Sequence, residues 1–410
     1  MTKLLSQKFQ GFMNNVYAGK YHSPKEVDPE IFTLQDWELL TREEAEKIFL
    51  PFIRHQIASA IKTMPNVYEK LYKENGIKPE NIKSMKDFWN VPPLVKDSTV
   101  DGLEGLRFKA SQDPYILLPT DVETGTPATA YFSGGTKGGN IGATPTWITK
   151  YDLEVESNAF VRTMMAGGIK PRSVVINTYN SSHKGGFMVS SALQKLNCIQ
   201  VQVKSTDTAD EIIRYIRQYK KNGRQLVFIG AQPPISRGDA QKKGGGRTLF
   251  DIISKDEDTF LKNVDLVLLG GFRIIPEVEA WSAEAGIPTH AIFGSTEILP
   301  AFFGKAIGDE NRLCKYNNLH LSYGPHYMEL VKLNEEGKLV PVKEGEEGLL
   351  ALTSVFREGT ILIRYLIGDA GRFFKKEGSC CCGVNTEIWT DIDRKDIPLD
   401  ILQKGCVGDV

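Results

Sequence analysis

Residues 131–139 read YFSGGTKGG and are the most informative part of the sequence. Glycine lets successive backbone N–H groups turn toward one point and leaves room for approaching oxygen atoms. The hydroxyls of Ser133 and Thr136 and the ammonium of Lys137 are further donors, so the stretch predicts a polyphosphate-binding loop. Its glycines do not have the spacing of the P-loop pattern. The alternative is a mobile glycine turn between two strands.

The composition is that of a globular protein of two or three compact units. The chain has 410 residues, of which 41% are hydrophobic and 25% charged, and a net charge of −1. This balance gives no reason to expect a nucleic-acid partner or a membrane surface. No apolar run approaches the roughly 18 residues that span a bilayer. The N-terminus lacks the features of a signal peptide, so we expect a cytoplasmic protein whose six cysteines are thiols or metal ligands.

The pattern of apolar residues predicts an α/β fold with a second, antiparallel β unit. We expect residues 1–110 to form a helical N-terminal region, 111–325 an α/β core, 326–392 a small β subdomain, and 393–410 a terminal segment. The amphipathic N-terminal segment could dock on a second subunit, which would make a homodimer. The predicted core strands are Ser173–Thr178, Gln225–Ile229, Val264–Leu269 and His290–Phe293, and the predicted β-subdomain strands are Tyr327–Lys332, Gly348–Thr353 and Leu362–Tyr365.

Three later segments carry candidate binding residues. Gly270, Gly271 and Phe272 follow one predicted strand, and residues 293–297, which read FGSTE, end another. Residues 364–369, which read RYLIGD, close the antiparallel region with an acid. In open α/β sheets, ligands bind beyond the carboxyl ends of the strands, where the first two segments are expected to lie.

The order of these motifs resembles that of the adenylate-forming acid–thiol ligases. A glycine-rich loop with lysine, a Gly-Gly after a strand, an aromatic-Gly-x-Thr-Glu segment and a Tyr-x-x-Gly-Asp segment occur here in the family's order. The phenylacetate–CoA ligases are the most similar branch, because Leu94-Val95-Lys96, Ile363-Arg364-Tyr365 and Cys380-Cys381-Cys382-Gly383 resemble their sequences. The resemblance covers residues 60 to 410 and implies a large N-terminal domain of layered sheets.

The resemblance implies an enzyme that uses ATP and Mg²⁺ to activate a small carboxylic acid. Coenzyme A would then be the thiol acceptor of the acyl group, with a carrier-protein thiol as the alternative. The resemblance implies that the β- and γ-phosphates are bound by Ser133, Gly134, Gly135, Thr136 and Lys137, that Thr296 contacts the α-phosphate, and that Glu297 binds Mg²⁺. The rest of the nucleotide would be bound by Gly270, Gly271, Phe272, Phe293, Gly294 and Asp369. His183 and Gly185 would line the acyl pocket, and Arg394, followed by Asp396, would belong to a catalytic hinge.

Several of these residues also have simpler interpretations. Glu297 could be a first-turn acid of a helix capped by Thr296. Asp369 could only shape a Gly-Asp turn, and His183 could make an ordinary polar contact. Arg394 could be a surface ion-pair partner, because Asp393 stands where the family motif has glycine.

Cysteine spacing suggests a zinc site. Cys380 and Cys382 are separated by one residue, and Cys314 and His320 lie upstream. Three thiolates and one imidazole would complete a tetrahedral structural zinc site, and the phenylacetate ligase branch resembles this pattern at both places. Cys381 could replace a neighbour, and reduced thiols without a metal are the alternative.

The end of the sequence leaves the acceptor open. The related ligases continue into a mobile C-terminal domain that supplies a catalytic lysine, and we expect that domain to be absent or truncated here. Acyl-protein synthetases are similar in ending soon after the hinge, with Gly-Cys near the terminus, so Cys406 could carry the acyl group as a thioester. The other hypotheses are a nucleotide-binding module without turnover and a simple carrier or scaffold.

Overall fold

The computed structural model describes residues 5–96, 105–132, 144–179, 183–204, 206–220, 223–231, 248–270, 276–299, 301–304, 314, 319–374, 382–398 and 401. Its α-helices are α1 (Gln7–Tyr17), α2 (Arg42–Thr63), α3 (Pro65–Glu74), α4 (Met85–Phe88), α5 (Leu106–Gln112), α6 (Thr120–Gly125), α7 (Lys150–Ala166), α8 (Lys184–Lys195), α9 (Ala209–Tyr219), α10 (Leu249–Ile253), α11 (Glu257–Asn263) and α12 (Pro276–Ala285). Among these described residues, no helix is both long and apolar enough to cross a membrane.

The structure also contains fifteen β-strands among the described residues. They are β1 (Leu94–Val95), β2 (Ala128–Phe132), β3 (Pro145–Thr149), β4 (Val174–Asn177), β5 (Ile199–Gln202), β6 (Leu226–Ala231), β7 (Leu266–Gly270), β8 (Thr289–Phe293), β9 (Phe302–Gly304), β10 (Leu319–Leu321), β11 (His326–Leu333), β12 (Leu339–Pro341), β13 (Glu347–Ser354), β14 (Tyr365–Phe374) and β15 (Ile388–Arg394).

The chain divides into two compact units. The first unit contains Met1–Val155, Tyr323–Lys375 and Trp389–Val410, and the second contains Glu156–Ser322 and Lys376–Ile388. The α/β fold class predicted from the sequence, with its antiparallel part, is confirmed. The proposed domain limits at residues 110, 325 and 392 stay a prediction.

The second unit is built around a sheet covered on both faces. Strands β5, β4, β6, β7 and β8 are parallel neighbours in that order, and β9 and β10 extend the sheet antiparallel. Alternate residues point to opposite faces of a strand, and here both sets are apolar. Val227 and Leu268 pack with α7 and α8, whereas Phe228 and Leu269 pack with α9 to α12. The continuous apolar strands of the sequence are therefore explained by burial on both sides.

The first unit combines helices with an antiparallel sheet. Strands β12, β11, β13, β14 and β15 are neighbours in that order, and the short β1 runs parallel to β14. The apolar face of α1 packs on this unit's own Trp37, with ring centroids 5.1 Å from Phe9 and 5.9 Å from Phe12. That face is therefore covered within the chain, and the homodimer suggested by the N-terminal segment stays a prediction.

The predicted strand Leu362–Tyr365 is wrong. The strand begins only at Tyr365 and continues to Phe374. Arg364 has a left-handed backbone conformation with φ of 47°, which interrupts an extended chain. The preceding N–H of Ile363 donates to the Tyr68 hydroxyl at 3.2 Å, and that of Arg364 donates to Thr353 Oγ1 at 3.0 Å. These side chains satisfy the backbone in place of a strand partner.

Candidate functional site

The glycine-rich segment lies in the sequence between two paired strands. Phe132, the last residue of β2, is the register partner of Pro145, the first residue of β3. The described residues on either side of the glycine-rich segment are therefore adjacent in an antiparallel strand pair. The predicted phosphate-binding residues Ser133–Lys137 lie outside the described residues, so their role stays a proposal.

The strand ends of the second unit come together as the sequence predicts. Asn177 of β4 pairs with Ile229 of β6, and Gly270 of β7 lies between Ala231 of β6 and Ile292 of β8. Because these strands are parallel, their carboxyl ends share one edge of the sheet. Gly270, Phe293 and Gly294 therefore lie at the edge where an α/β sheet binds ligands. Gly271 and Phe272 lie outside the described residues.

Tyr179 is a residue at this edge that the sequence did not single out. It follows β4, and a Cβ atom added at Gly270 would overlap its hydroxyl oxygen and come within 3.0 Å of the Ile292 carbonyl oxygen. A side chain at position 270 would therefore displace the tyrosine hydroxyl and crowd the Ile292 carbonyl, whereas glycine accommodates both. Burial raises the pKa of Tyr179, so the hydroxyl stays protonated and remains a donor.

An amide network holds the end of β4 in place. The Asn177 side chain accepts from the Tyr179 N–H at 3.0 Å and donates to Gln202 Oε1 at 3.1 Å. Gln202 in turn donates to the carbonyl oxygen of Tyr179 at 2.8 Å. The signal in the sequence was an Asn and an aromatic residue directly after an apolar strand, which is the position where a sheet of this type places ligand contacts.

Thr296 and Glu297 lie in a tight turn after β8. The N–H of Ser295 donates to the Ile298 carbonyl at 3.0 Å, and the N–H of Ile298 donates back to Ser295 at 3.2 Å. Thr296 is 5% exposed and Glu297 1% exposed. No helix begins in this described turn, so the interpretation of Glu297 as a first-turn helix acid is wrong. A hydroxyl and a carboxylate are instead held after the carboxyl end of β8, at the edge where open α/β sheets generally bind ligands, and a carboxylate is a donor that Mg²⁺ prefers.

His183 caps helix α8. Its Nδ1 accepts a hydrogen bond from the Gly185 N–H at 3.0 Å. Desolvation lowers the pKa of His183, and the charge of the adjacent Lys184 lowers it further. A neutral imidazole that accepts at Nδ1 carries its proton at Nε2, so His183 is a donor at that atom. The polar contact left open by the sequence is therefore a helix cap, and the acyl-pocket role of His183 and Gly185 stays a proposal.

A buried ion pair anchors the start of α8 to α7. Lys184 Nζ lies 2.8 Å from Glu156 Oε2, and the two side chains are 0% and 2% exposed. Removing one partner of such a pair leaves an uncompensated buried charge, so both residues are expected to be needed for the placement of His183. Nothing in the local sequence pattern links two residues so far apart, and sequence reasoning missed them.

Asp369 and the predicted hinge residues Arg394 and Asp396 belong to the first unit. Asp369 lies within β14, is 5% exposed and follows Gly368, whose φ is 84°. The pairing of β13 with β14 shifts register here, because Ala351 faces Leu366 whereas Leu349 faces Ala370. Asp369 therefore sits in a β-bulge, a feature that redirects side chains, and the interpretation as a simple Gly-Asp turn is wrong. Arg394 ends β15 with its side chain outside the described residues, and Asp396 is exposed.

Two motif segments used for the family resemblance are direct neighbours in the first unit. Leu94 and Val95 of β1 pair with Tyr365 and Leu366 of β14, and the Lys96 N–H donates to the Leu366 carbonyl at 3.2 Å. The two segments are far apart in the sequence, so the sequence alone does not reveal this contact. The paired residues Leu94, Val95, Tyr365 and Leu366 are all buried, which accounts for the apolar character of both segments.

Cys314, His320 and Cys382 form a cluster in the second unit. One ligand atom from each residue lies within 4.8 Å of the others, and His320 Nε2 is 3.2 Å from Cys382 Sγ. His320 lies on β10, and the Leu321 N–H donates to the Glu387 carbonyl at 2.9 Å, which holds the segment after Cys382 against this strand. Three of the four predicted zinc ligands therefore meet. Cys380 and Cys381 lie outside the described residues.

The comparisons with known proteins agree with this geometry. No protein-family model matches the chain. It is 22% identical over 352 residues to the phenylacetate–coenzyme A ligase of Thermus thermophilus, which covers 84% of this chain and 69% of that protein. The identity to the phenylacetate–coenzyme A ligase of Aromatoleum evansii is 21% over 346 residues, covering 83% of this chain and 69% of that protein.

Comparison with a solved structure identifies the fold. The open conformation of 2-hydroxyisobutyryl-CoA ligase, solved in complex with 2-HIB-AMP and CoA, superposes with a TM-score of 0.65 and 18% identity. The superposition covers 85% of this chain and 74% of that structure. The resemblance predicted from the order of the motifs is thereby confirmed: this chain is similar in sequence to the phenylacetate–CoA ligases and has the fold of the adenylate-forming acyl-CoA ligases.

Proposed function

We propose that this protein uses ATP to convert a carboxylic acid to an acyl-adenylate and then transfers the acyl group to coenzyme A. The observation that carries this proposal is the similarity to phenylacetate–CoA ligases over 352 residues, which includes the strand-end segments of the second unit. The turn that buries Thr296 and Glu297 beside Gly270 and Phe293 supports it.

The proposed reaction has two steps. An oxygen of the acid's carboxylate attacks the α-phosphorus of ATP, a new O–P bond forms, and the bond to pyrophosphate breaks. The thiol sulfur then attacks the acyl carbonyl, loses its proton, and AMP leaves. The protein must chiefly align the groups and stabilise negative charge on the phosphate oxygens.

We assign the residues to this reaction as follows. Ser133–Lys137 bind the β- and γ-phosphates, Thr296 donates to the α-phosphate, and Glu297 holds Mg²⁺, which would neutralise phosphate charge. Asp369 in its bulge accepts from the ribose hydroxyls. The adenine lies against the backbone at Gly270 and Gly271 and the ring of Phe293, and the neighbouring Phe272 and Gly294 complete this part of the site. Arg394 belongs to the hinge.

The test is a screen of aryl and short aliphatic carboxylic acids for ATP–pyrophosphate exchange. We expect exchange that requires both the acid and Mg²⁺, and formation of the corresponding CoA thioester when CoA is added, measured by chromatography. ATP binding without exchange for any acid would contradict the proposal and favour a nucleotide-binding module without turnover.

The same assay with a radiolabelled acid identifies the acceptor. Label that stays on the protein and is lost in Cys406→Ser would replace CoA by a protein thiol in the second step. Cys406 lies outside the described residues, so the choice of CoA rests on the similarity to the phenylacetate–CoA ligases.

The thiol–imidazole cluster is proposed to hold a structural zinc ion. Two thiolates and one imidazole are donors that Zn²⁺ prefers, and Cys380 is the proposed fourth ligand. The ligand atoms already lie within 4.8 Å of one another, as a tetrahedral site requires. Zinc bound here would link β10 to the segment after Cys382.

We expect the purified protein to contain about one zinc per chain, measured by mass spectrometry of the metal. Cys382→Ser should lose most of this zinc and lower the midpoint of thermal unfolding, because metal binding adds to folding free energy. Cys198→Ser removes a thiol outside the cluster and is the matched control. Equal zinc content in the two variants would rule out this site.

A further inference from the structure

A cleft in the first unit has no role in the proposed reaction. Its volume is about 870 Å³, and it is lined by residues from the end of α1, the middle of α2 and the turn that follows α3. We call it the α1–α2 cleft. Its lining residues are Val16, Tyr17, Gly19, Tyr21, His22, Lys47, Leu50, Pro51, Arg54, His55, Pro79, Glu80 and Lys83. This volume is within the range of small-ligand sites.

Three cations converge on this cleft. Lys47 and Arg54 are seven positions apart on α2, which places them two turns apart on one face of the helix. Lys83 follows the turn at Pro79–Asn81 and also lines the cleft. Within the part of the chain that the structure describes, none of the three side chains is seen in an ion pair. The backbone N–H of Lys83 donates to Asp87 Oδ2 at 3.0 Å. A phosphate group is the ligand that such a set of donors binds.

The acids around the cleft are held by local contacts. Glu26 accepts from the His22 N–H at 2.9 Å, and Asp87 accepts from the Ser84 N–H at 2.8 Å in a capping box. Glu80 is the only carboxylate among the described lining residues. The lining therefore carries three positive charges and one negative charge before the two histidines are counted.

Aromatic and acceptor groups complete the lining. Tyr17 is 52% exposed, and Tyr21 is supported from behind by Phe12 and Phe52 at centroid distances of 6.0 and 6.1 Å. Exposed rings of this kind stack with nucleobases. Pro51 has no N–H, so the Lys47 carbonyl lacks its usual helical donor. That carbonyl and the Glu80 carboxylate are acceptors for hydroxyl or amino groups.

We propose that the α1–α2 cleft is a second ligand site that binds an adenosine phosphate. Lys47, Arg54 and Lys83 bind the phosphate, and Tyr17 stacks on the base. Glu80 accepts from the ribose hydroxyls. The ligand is either a free nucleotide or the phosphorylated adenosine end of coenzyme A, which have this chemistry in common.

The experiment uses a fluorescent reporter placed in the cleft itself. Tyr17→Trp keeps an aromatic ring at an exposed position, and its fluorescence is recorded against the parent protein during titration with AMP, with coenzyme A and with pyrophosphate. We expect saturable quenching by AMP or coenzyme A, and the tighter of the two identifies the source of the ligand. Pyrophosphate should bind more weakly, because it has no ring to stack.

Charge variants in the reporter background test the phosphate contacts. Lys47→Gln combined with Arg54→Gln should weaken binding at least about tenfold, because two charge-assisted contacts are lost. Lys62→Gln removes one positive charge from the last turn of α2, outside the cleft, and should leave binding unchanged. No saturable signal with any nucleotide, or equal affinities in the double variant and the control, would overturn the proposal. The reporter responds only to this cleft, so a failure of this proposal can be distinguished from a failure of the proposed acid activation.

Discussion

Glu297→Gln is expected to lower acid-dependent ATP–pyrophosphate exchange at least about 100-fold while the protein stays folded. The side chain is 1% exposed in the turn after β8, so an amide of the same shape fills the same space. The change removes the negative charge that is proposed to hold Mg²⁺ against the phosphates. Loss of that charge raises the barrier to pyrophosphate departure, because the developing charge is no longer neutralised.

The measurement is the exchange rate at several Mg²⁺ concentrations, together with circular dichroism of each variant. We expect the Mg²⁺ concentration for half-maximal rate to rise in Glu297→Gln. Glu284→Gln makes the same chemical change at an exposed position of α12 and should behave as the parent protein. A Glu297→Gln rate equal to that of the control would remove the Mg²⁺ assignment.

Arg364→Met is expected to reduce the free energy of unfolding by about 3–5 kcal/mol. Arg364 is 1% exposed, and its Nε lies 2.7 Å from Glu329 Oε1. It also donates to the carbonyl oxygens of Trp89 at 2.6 Å, Val91 at 2.7 Å and Leu339 at 3.2 Å. Methionine would leave the Glu329 charge and three carbonyls buried without these donors, which is the costly form of a lost ion pair.

Chemical denaturation followed by tryptophan fluorescence measures this loss. The control is Arg372→Met, which removes a half-exposed arginine of the same strand whose ion pair with Glu347 is 3.7 Å long. We expect a loss of about 0–1 kcal/mol for that variant. Combining Arg364→Met with Glu329→Met should recover part of the stability, because no buried charge is left unpaired. Similar losses in both single variants would show that the buried contacts of Arg364 add nothing.

The local pattern of the sequence predicted the elements of the second unit well. The predicted strand Val264–Leu269 is observed as Leu266–Gly270, and His290–Phe293 as Thr289–Phe293. These predictions succeed because a doubly covered strand needs apolar residues at every position. The strand predicted at Leu362–Tyr365 failed, because the buried Arg364 network gives that residue a left-handed backbone that no apolar pattern reveals.

The candidate site was predictable in part. The positions of Gly270, Phe293, Thr296 and Glu297 at strand ends follow from strand order, and the structure brings them to one edge of the second unit. Whether Ser133–Lys137 contribute to the same site stays a prediction. Tyr179 was missed, because its contact with Gly270 depends on how a side chain crosses neighbouring strands.

The sequence by itself determined most of the core strands of the second unit, the order of the candidate binding motifs, and the resemblance to acid–thiol ligases. These properties depend on residues close together in the sequence, because periodicity and turn chemistry act over a few positions. Only the tertiary structure decided that Cys314, His320 and Cys382 meet, that Lys184 is neutralised by Glu156, and that a cationic cleft opens beside α2. Those contacts join residues far apart in the chain, and they exist only once the core has fixed the strands and helices in space.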